Sequence, residues 1–470
     1  MEGIISCIKH YAEASGDEYF VVSKAGAATA TGSFRPGAVL RLGELVEVSP
    51  EGMPAGPALP PDGRKDKAIR AAIAKSPKAV LGRSPSDIGI AEVDGLTAKM
   101  WDRLTDAAET LVRKLVIGAP IIVRFHNDTD GISGAYCLSR AIAQASGALG
   151  KGYVPNLHWR MHGAVAYSKE DSTTDTLVTN GYECIERPLL VVLDFGTAKE
   201  SNDGIVLARE RFDIIWLDHH PMVEGFIGRD LDHYMNPWLF GGDSNYTAGF
   251  LTCQFARTFS DFESRDMENA SFIGDYSKFA RPTDASRRLA ALLDFVTSDT
   301  RVAIGLKSSN FDPAAIDAVL GDKKKSDELV AYAENRVQEM LDASIESVKI
   351  YHGSGSCIYV ADFEGIRGDA EQRYPLPGRF ASKLLDKLEQ MNAKPCVLLL
   401  HFGHFVSIRM SKELNDRADL LRILGEVREG YPDDVDSSGG HGNAASIKLK
   451  SDSRKKEIIG AVVRKLKEVV

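Results

Sequence analysis

The chain has 470 residues, 44% hydrophobic and 26% charged, with a net charge of −9, the make-up of an ordinary globular protein of two or three domains. No apolar run approaches the ~18 residues that span a bilayer, and the start "MEGIISCIKHYAEASGDEY" lacks a basic segment followed by an apolar core and cleavage site, so no membrane association and a cytoplasmic location are expected. The acidic balance excludes a uniformly basic nucleic-acid coat, although a local patch can supply an attraction that net charge hides.

Residues 1–55 carry short β-like runs, "EYFVVSK", "AATATGSF" and "AVLRLGELVEVSP", broken by Gly and Pro, which predict a small β-rich module, an OB-like barrel or another small sheet. Residues 56–97 begin in a Pro- and Gly-rich linker and continue into "GRKDKAIRAAIAKSPKAVLGR", with seven Lys or Arg against one Asp, a solvated helix face in preference to a phosphate-contacting surface. A core domain over 98–322 opens with a helix whose apolar stripe (Trp101, Leu104, Ala108, Leu111, Val112, Leu115) stops at Gly118 and Pro120. Three apolar runs follow, "PIIVRF", "LLVVL" and "IIWL", spaced for crossover helices, so the fold class is α/β with a parallel sheet. A connecting helix is expected over 323–350. A smaller α/β domain over 351–470 follows, with strands "CIYVADF", "PCVLLLHF" and "HFVSIRMS" and a closing helix near 454–469. The six cysteines (Cys7, Cys137, Cys184, Cys253, Cys357, Cys396) are widely separated without a CxxC pair, so they are read as reduced and mostly buried.

Each core-domain run ends in acidic or imidazole side chains: "HNDTDG" at 126–131, Asp194 in "LDFG", and "DHHP" at 218–221. Ligands of open α/β sheets bind beyond the carboxyl ends of the strands, so these groups are expected on one rim. His126, Asp128, Asp130, Asp194, Asp218 and His219 would repel and desolvate one another without a cation. Carboxylates and imidazoles without thiolates suit Mn²⁺ or Mg²⁺, and the ligand count suits a pair of ions sharing a carboxylate. Taken alone, "HxDxDG" also reads as a polar turn with Gly131 at positive φ. A kinase reading of "DFG" fails for want of a Gly-rich loop, a strand lysine and an HRD-type loop.

With these motifs in order, the chain resembles the DHH phosphoesterase superfamily, specifically the RecJ-like branch with a DHH-associated C-terminal domain, from about residue 118 onward. "HNDTDG", "VVLDFGTAKES", "IIWLDHHP" and "DFVTSD" are similar to its four motifs, "NPWLFGGDSNYTAGF" to its Asn-Pro to small-Gly stretch, and "SGGHGNAASIKL" with "FVSIRMS" to its phosphate-gripping loop and adjacent strand. The resemblance implies that His126, Asp128 and Asp194 hold one Mn²⁺ (or Mg²⁺) and that Asp130, Asp194, His219 and Asp299 hold the other. Asp194 would bridge, Asp218 would orient a ligating imidazole, and His220 would serve the scissile phosphate or leaving group. Asp294 competes with Asp299 for the fourth motif, and Asp299 is preferred because it follows Thr297 and Ser298. Arg409, Gly439, Gly440 and His441 would grip substrate phosphate, although Ser438 and Gly442 depart from the family loop.

The implied function is metal-dependent exonucleolytic hydrolysis of single-stranded DNA or RNA, in a cleft whose basic lining comes partly from "KLKSDSRKKE". Docking onto a helicase or a replication or repair complex is a further expectation. The alternatives are a small-substrate phosphodiesterase, acting on nanoRNA or a cyclic dinucleotide, and a replisome scaffold, which the complete ligand set disfavours. His158 and His162 have the spacing of a helical metal pair without the HExxH glutamate and are not assigned to metal. Tyr153, Trp159 and Tyr167 are assigned to packing, and His401 and His404 to structural positions.

Overall fold

The computed structural model describes residues 2–10, 18–23, 32–33, 40–47, 58–59, 62–85, 88–149, 156–298, 312–353, 355–368, 374–392, 394–441 and 443–470. The chain forms two compact units, one of Met1–Leu293 with Ile304–Asp322, the other of Asp294–Ala303 with Lys323–Val470.

In the first unit, the N-terminal strands β1 (Glu2–Lys9), β2 (Glu18–Ser23), β3 (Gly32–Ser33) and β4 (Leu45–Glu47) order as β3-β2-β1-β4. This sheet is not self-contained. Strand β7 (Tyr182–Cys184), from the middle of the chain, pairs antiparallel with β1 and sets Cys184 opposite Cys7. Those two cysteines form a disulfide, contrary to the expectation of reduced thiols. Their separation of 177 residues explains the miss, because only the strand register brings them together. The other four cysteines are free and buried. Helix α1 (Gly63–Lys75) buries only Ile69 and Ile73, so its cations form the solvated face expected of them.

The long helix α2 (Ala91–Ile117) ends at Gly118, whose φ of 79° makes the left-handed C-cap that glycine favours. It is followed by β5 (Ile121–His126), α3 (Thr129–Ala148), β6 (Leu157–His162), α4 (Lys169–Thr179), β8 (Leu189–Leu193), α5 (Asn202–Arg211), β9 (Asp213–Leu217) and β10 (His233–Met235). The strands form one sheet in the order β10-β9-β8-β5-β6, parallel at every pairing. Every residue of β8 is buried, as is every residue of β5 but His126, which is the reason these runs lack polar alternation. Helices α6 (Ala248–Arg257), α7 (Arg265–Gly274), α8 (Asp284–Ser298) and the short α9 (Ile316–Leu320) follow.

"LHWRMH" forms strand β6, so His158 and His162 are not a helical pair. His162 stacks on Phe195 with ring centroids 4.2 Å apart, and Trp159 and Tyr167 are buried, packing roles in keeping with the sequence. Tyr153 lies outside the described residues.

The second unit carries α10 (Lys323–Ser347), β11 (Lys349–His352), β12 (Cys357–Asp362), α11 (Phe363–Arg367), α12 (Pro377–Met391), β13 (Cys396–Phe402), β14 (Phe405–Met410), α13 (Leu420–Gly430), β15 (Val435–His441), β16 (Ala444–Leu449) and α14 (Lys455–Val469). Its sheet runs β11-β12-β13-β14-β16-β15. Only the β12–β13 pairing is parallel. One face packs Ile358, Leu399, Ile408 and Ile447 against Leu424 and Val462.

Candidate metal centre

The rim of the parallel sheet is built by three consecutive strand ends. His126 is the last residue of β5, Asp194 follows β8, and Asp218, His219 and His220 follow β9. The order β9-β8-β5 places these ends side by side.

Asp128 is the N-cap of α3, and its carboxylate accepts the Gly131 N–H at 3.0 Å, a favourable place for negative charge. Gly131 does not supply a positive φ. It lies inside α3, where a Cβ would stand 2.3 Å from the His126 carbonyl oxygen, so glycine is required for close approach of helix to strand end. Asp194 does adopt the left-handed conformation, with φ 65°. Its N–H donates to the Leu217 carbonyl at 2.9 Å, tying the end of β8 to the end of β9. Gly196, at φ 94°, completes the turn, and a Cβ there would lie 2.4 Å from the Trp216 ring. A non-glycine residue at positive φ carries strain that the surrounding structure must hold, and such strain collects at functional sites.

His126 Nδ1 lies 3.0 Å from Asp128 Oδ2 and 3.8 Å from Asp194 Oδ2. His219 Nε2 lies 3.3 Å from Asp194 Oδ1 and 3.2 Å from Asp275 Oδ2. The His219 tautomer follows from its other nitrogen, Nδ1, which is 2.8 Å from the Ser244 carbonyl. A carbonyl can only accept, so the neutral ring carries its proton on Nδ1 and presents the Nε2 lone pair to the carboxylates. Sequence reasoning gave the orienting role to Asp218. The structure gives it to Ser244 O, while Asp218 accepts the His219 backbone N–H at 2.8 Å and the His220 ring at 2.7 Å.

Asp130 is fully buried, 3.8 Å from His219 Nε2. Its two oxygens accept the N–H groups of Ala248 and Gly249, at 2.8 and 2.9 Å, and the Ser271 hydroxyl. The "small-Gly" pair is thereby explained: it opens α6 with two free N–H groups, and a Cβ on Gly249 would come within 2.7 Å of Asp130 Oδ1. The Asn-Pro pair works on the adjacent loop, where Asn236 Nδ2 donates to the His220 carbonyl at 3.0 Å.

Asp275 was missed in the sequence. It caps the C-terminal end of α7, where an acid opposes the helix dipole, and that misplacement was the available signal. Asp299 lies outside the described residues. Its competitor Asp294 is 3.5 Å from Arg379 Nε.

The electrostatics are those of a crowded, dry site. Burial, then the Asp275 charge, pushes Asp130 up to about 6. Burial, then Asp128, Asp130 and Asp275, holds Asp194 well above the usual carboxylate range. Burial would also raise Asp218, but the partnership with His220 outweighs it and holds that carboxyl below the ordinary range. Conversely, burial would lower His220, yet Asp218, Asp275 and Asp128 lift it to about 9.

Three groupings each bring one ligand atom per residue within 4.8 Å of one another: His126, Asp128, Asp194; Asp130, His219, Asp275; and Asp194, Asp218, His219, His220. Two of the atoms, His126 Nδ1 and Asp194 Oδ2, are buried without a hydrogen-bond partner, the state expected of donor atoms directed at a cation. The residues fit divalent metal.

In the second unit, the segment read as a phosphate-gripping loop is mostly strand β15, up to His441. The register aligns Arg409 of β14, Ala444 of β16 and His441 of β15, with Ser407, Ser446 and Gly439 as the next row. Gly440, at φ 144°, would place a Cβ 2.3 Å from the Ala444 carbonyl. The Arg409 guanidinium donates to Ser382 Oγ at 3.2 Å, Ser407 Oγ at 3.1 Å and the Gly378 carbonyl at 3.4 Å. The basic stretch 448–457 is largely neutralised within its own unit, with Lys448 paired to Asp436, Arg454 to Asp434 and Glu457, and Lys455 to Asp452. His401 lies 3.7 Å from Asp362 and His404 3.1 Å from Asp452. Among the described residues no helix is long and apolar enough to cross a membrane.

No protein-family model matches the chain. The uncharacterized protein MJ1198 of Methanocaldococcus jannaschii is 25% identical over 425 residues, which is 79% of this chain and 54% of the relative. The chain therefore spans about half the length of the curated relative it matches. A solved structure described as "Member of s1p family of ribosomal proteins PF0399 DHH domain" superposes with a TM-score of 0.70 at 21% identity, covering 86% of this chain and 98% of that one. RecJ in complex with Mn²⁺ from Thermus thermophilus is similar with a TM-score of 0.48 at 16% identity, over 86% of this chain and 59% of that one. The chain has a DHH-type fold.

Proposed function

We propose that this chain is a metal-dependent phosphodiesterase of the DHH superfamily that hydrolyses single-stranded DNA or RNA from an end. The observation that carries the reading is the convergence of His126, Asp128, Asp194, His219 and Asp275 at neighbouring strand ends, with buried lone pairs left over on His126 and Asp194. His126, Asp128 and Asp194 would hold one Mn²⁺ or Mg²⁺, and Asp194, His219 and Asp275 the other, with Asp194 shared. Asp130, 3.8 Å from the same His219 Nε2 and anchored to α6, would complete the second set. A cation pair of this kind supplies an acidified water and a clamp on the phosphoryl oxygens.

The protein's own groups do the rest. Ser244 O fixes the His219 ring so that Nε2 faces the carboxylates. Asp218, held by Thr197 and His219 N–H, keeps the His220 proton on Nδ1. A cationic His220, its ring 38% exposed, is placed to bind a scissile phosphate oxygen or to give a proton to the departing oxygen. Arg409 and the row reaching His441 are the second unit's own candidates for meeting a substrate phosphate.

Incubation with Mn²⁺ and a 5′-phosphorylated, labelled single strand should yield mononucleotides, and Asp194→Ala should lower kcat on the order of 10³-fold. Persistent turnover in Asp194→Ala would remove the shared carboxylate from the scheme. A strong preference for dinucleotides over strands of twenty residues would favour the small-substrate alternative.

A further inference from the structure

The loop after β10 carries an aromatic ring that the metal centre does not use. Of the four tryptophans, Trp101 and Trp159 are 8% exposed and Trp216 is fully buried, whereas Trp238 is 41% exposed. Its indole is nevertheless fixed. Nε1 donates to the His219 carbonyl at 3.2 Å and approaches Ser244 Oγ at 3.4 Å, while its backbone N–H donates to Asn236 Oδ1 at 3.1 Å. Ser244 Oγ in turn donates to the same His219 carbonyl at 2.9 Å. The ring is therefore bonded to the residue whose imidazole faces Asp194 and Asp275, and lies against Ser244, whose carbonyl sets the tautomer of that imidazole.

We infer that Trp238 is the platform on which a nucleobase of the substrate stacks while its phosphate lies at His219. This rests on the phosphodiesterase reading and extends it to base recognition. An exposed indole in water gains by covering its face with another flat π-surface, and it does so cheaply here because its orientation is already set and little freedom is lost on binding. A base hangs one sugar away from its phosphate, so a flat ring bonded to a metal-facing residue's own carbonyl lies where a base can reach. Leu239, next to it in the chain and 40% exposed, adds apolar surface. Stacking is indifferent to base identity, since every base has a π-face, so the site selects for the presence of bases without reading their order.

Trp238 is also its own reporter, as the other three tryptophans are buried. With Ca²⁺ in place of Mn²⁺, the full chain is titrated with a ten-residue oligothymidylate and with an abasic strand of equal length, following tryptophan fluorescence and the anisotropy of labelled strands. The thymidylate should quench the emission and bind about tenfold tighter than the abasic strand. The difference should vanish in Trp238→Ala and largely return in Trp238→Phe, which keeps a flat ring. Equal binding of the two strands by the native chain, no binding of either, or a preference that survives Trp238→Ala would overturn the inference. Base-dependent binding without cleavage in Mn²⁺ would instead defeat the phosphodiesterase reading and leave the platform standing. Capture of neither strand together with intact cleavage of bis(p-nitrophenyl) phosphate would defeat the platform alone.

Discussion

The rim of the parallel sheet and the polar rows of the second unit, the two places proposed to meet phosphate, are made in different ways. At the rim the backbone does the placing: an N-cap holds Asp128, two N–H groups of α6 hold Asp130, and a left-handed turn aims Asp194. In the second unit, the rows from Arg409 to His441 and from Ser407 to Gly439 lie on antiparallel strands, and the Arg409 guanidinium is steadied by two serine hydroxyls and two carbonyls. Charges that must be forced together are fixed by main chain. A single cation is steadied by side chains and main chain alike.

After the loss expected of Asp194→Ala, the next largest effect separates the two candidates for the last rim carboxylate. Asp275→Asn keeps the shape of the side chain but removes its charge, and should weaken Mn²⁺ binding and lower kcat by about 10²-fold, read by calorimetry and strand cleavage. If Asp299→Asn produces that loss and Asp275→Asn does not, the ligand set must be redrawn around Asp299.

A smaller effect should come from crowding the backbone devices. Gly131→Ala pushes a methyl against the His126 carbonyl and Gly249→Ala pushes one against Asp130, so each should cost roughly 1–3 kcal/mol of stability. Thermal melts with and without Mn²⁺ would show it, and melts matching the native chain would mean that these helices can shift without cost. The smallest effect belongs to the second unit. Arg409→Ala should raise KM for a long strand about tenfold through the loss of a charge-assisted contact, with kcat little changed. An equal fall in kcat would show that Arg409 acts in the transition state.

What the sequence revealed follows the same division. The runs ending in His126, Asp194 and Asp218 were legible because a buried parallel strand is written almost wholly in apolar residues, interrupted in these runs only by Arg124, so its polar end stands out. The interior of the sheet was equally plain, with Leu189–Leu193 matching the expected strand residue for residue. Asp275 was obscured because a lone acid after a helix resembles many surface acids. The tautomer-setting Ser244 carbonyl has no side-chain signature at all. The resemblance implies a loop at Gly439 and Gly440, whereas here strand β16 holds them in register by backbone pairing. The Cys7–Cys184 bond was invisible for a related reason, since register between distant strands is a property of the fold and not of spacing.

That same register has a consequence for how the protein comes into being. Strand β1 pairs with β7, whose Cys184 lies 177 residues after Cys7, and the Ser6 hydroxyl donates to the Ile117 carbonyl. Strand β1 therefore cannot complete its pairing until residues more than a hundred positions further along are in place, which ties the small sheet to the folding of the α/β unit around it.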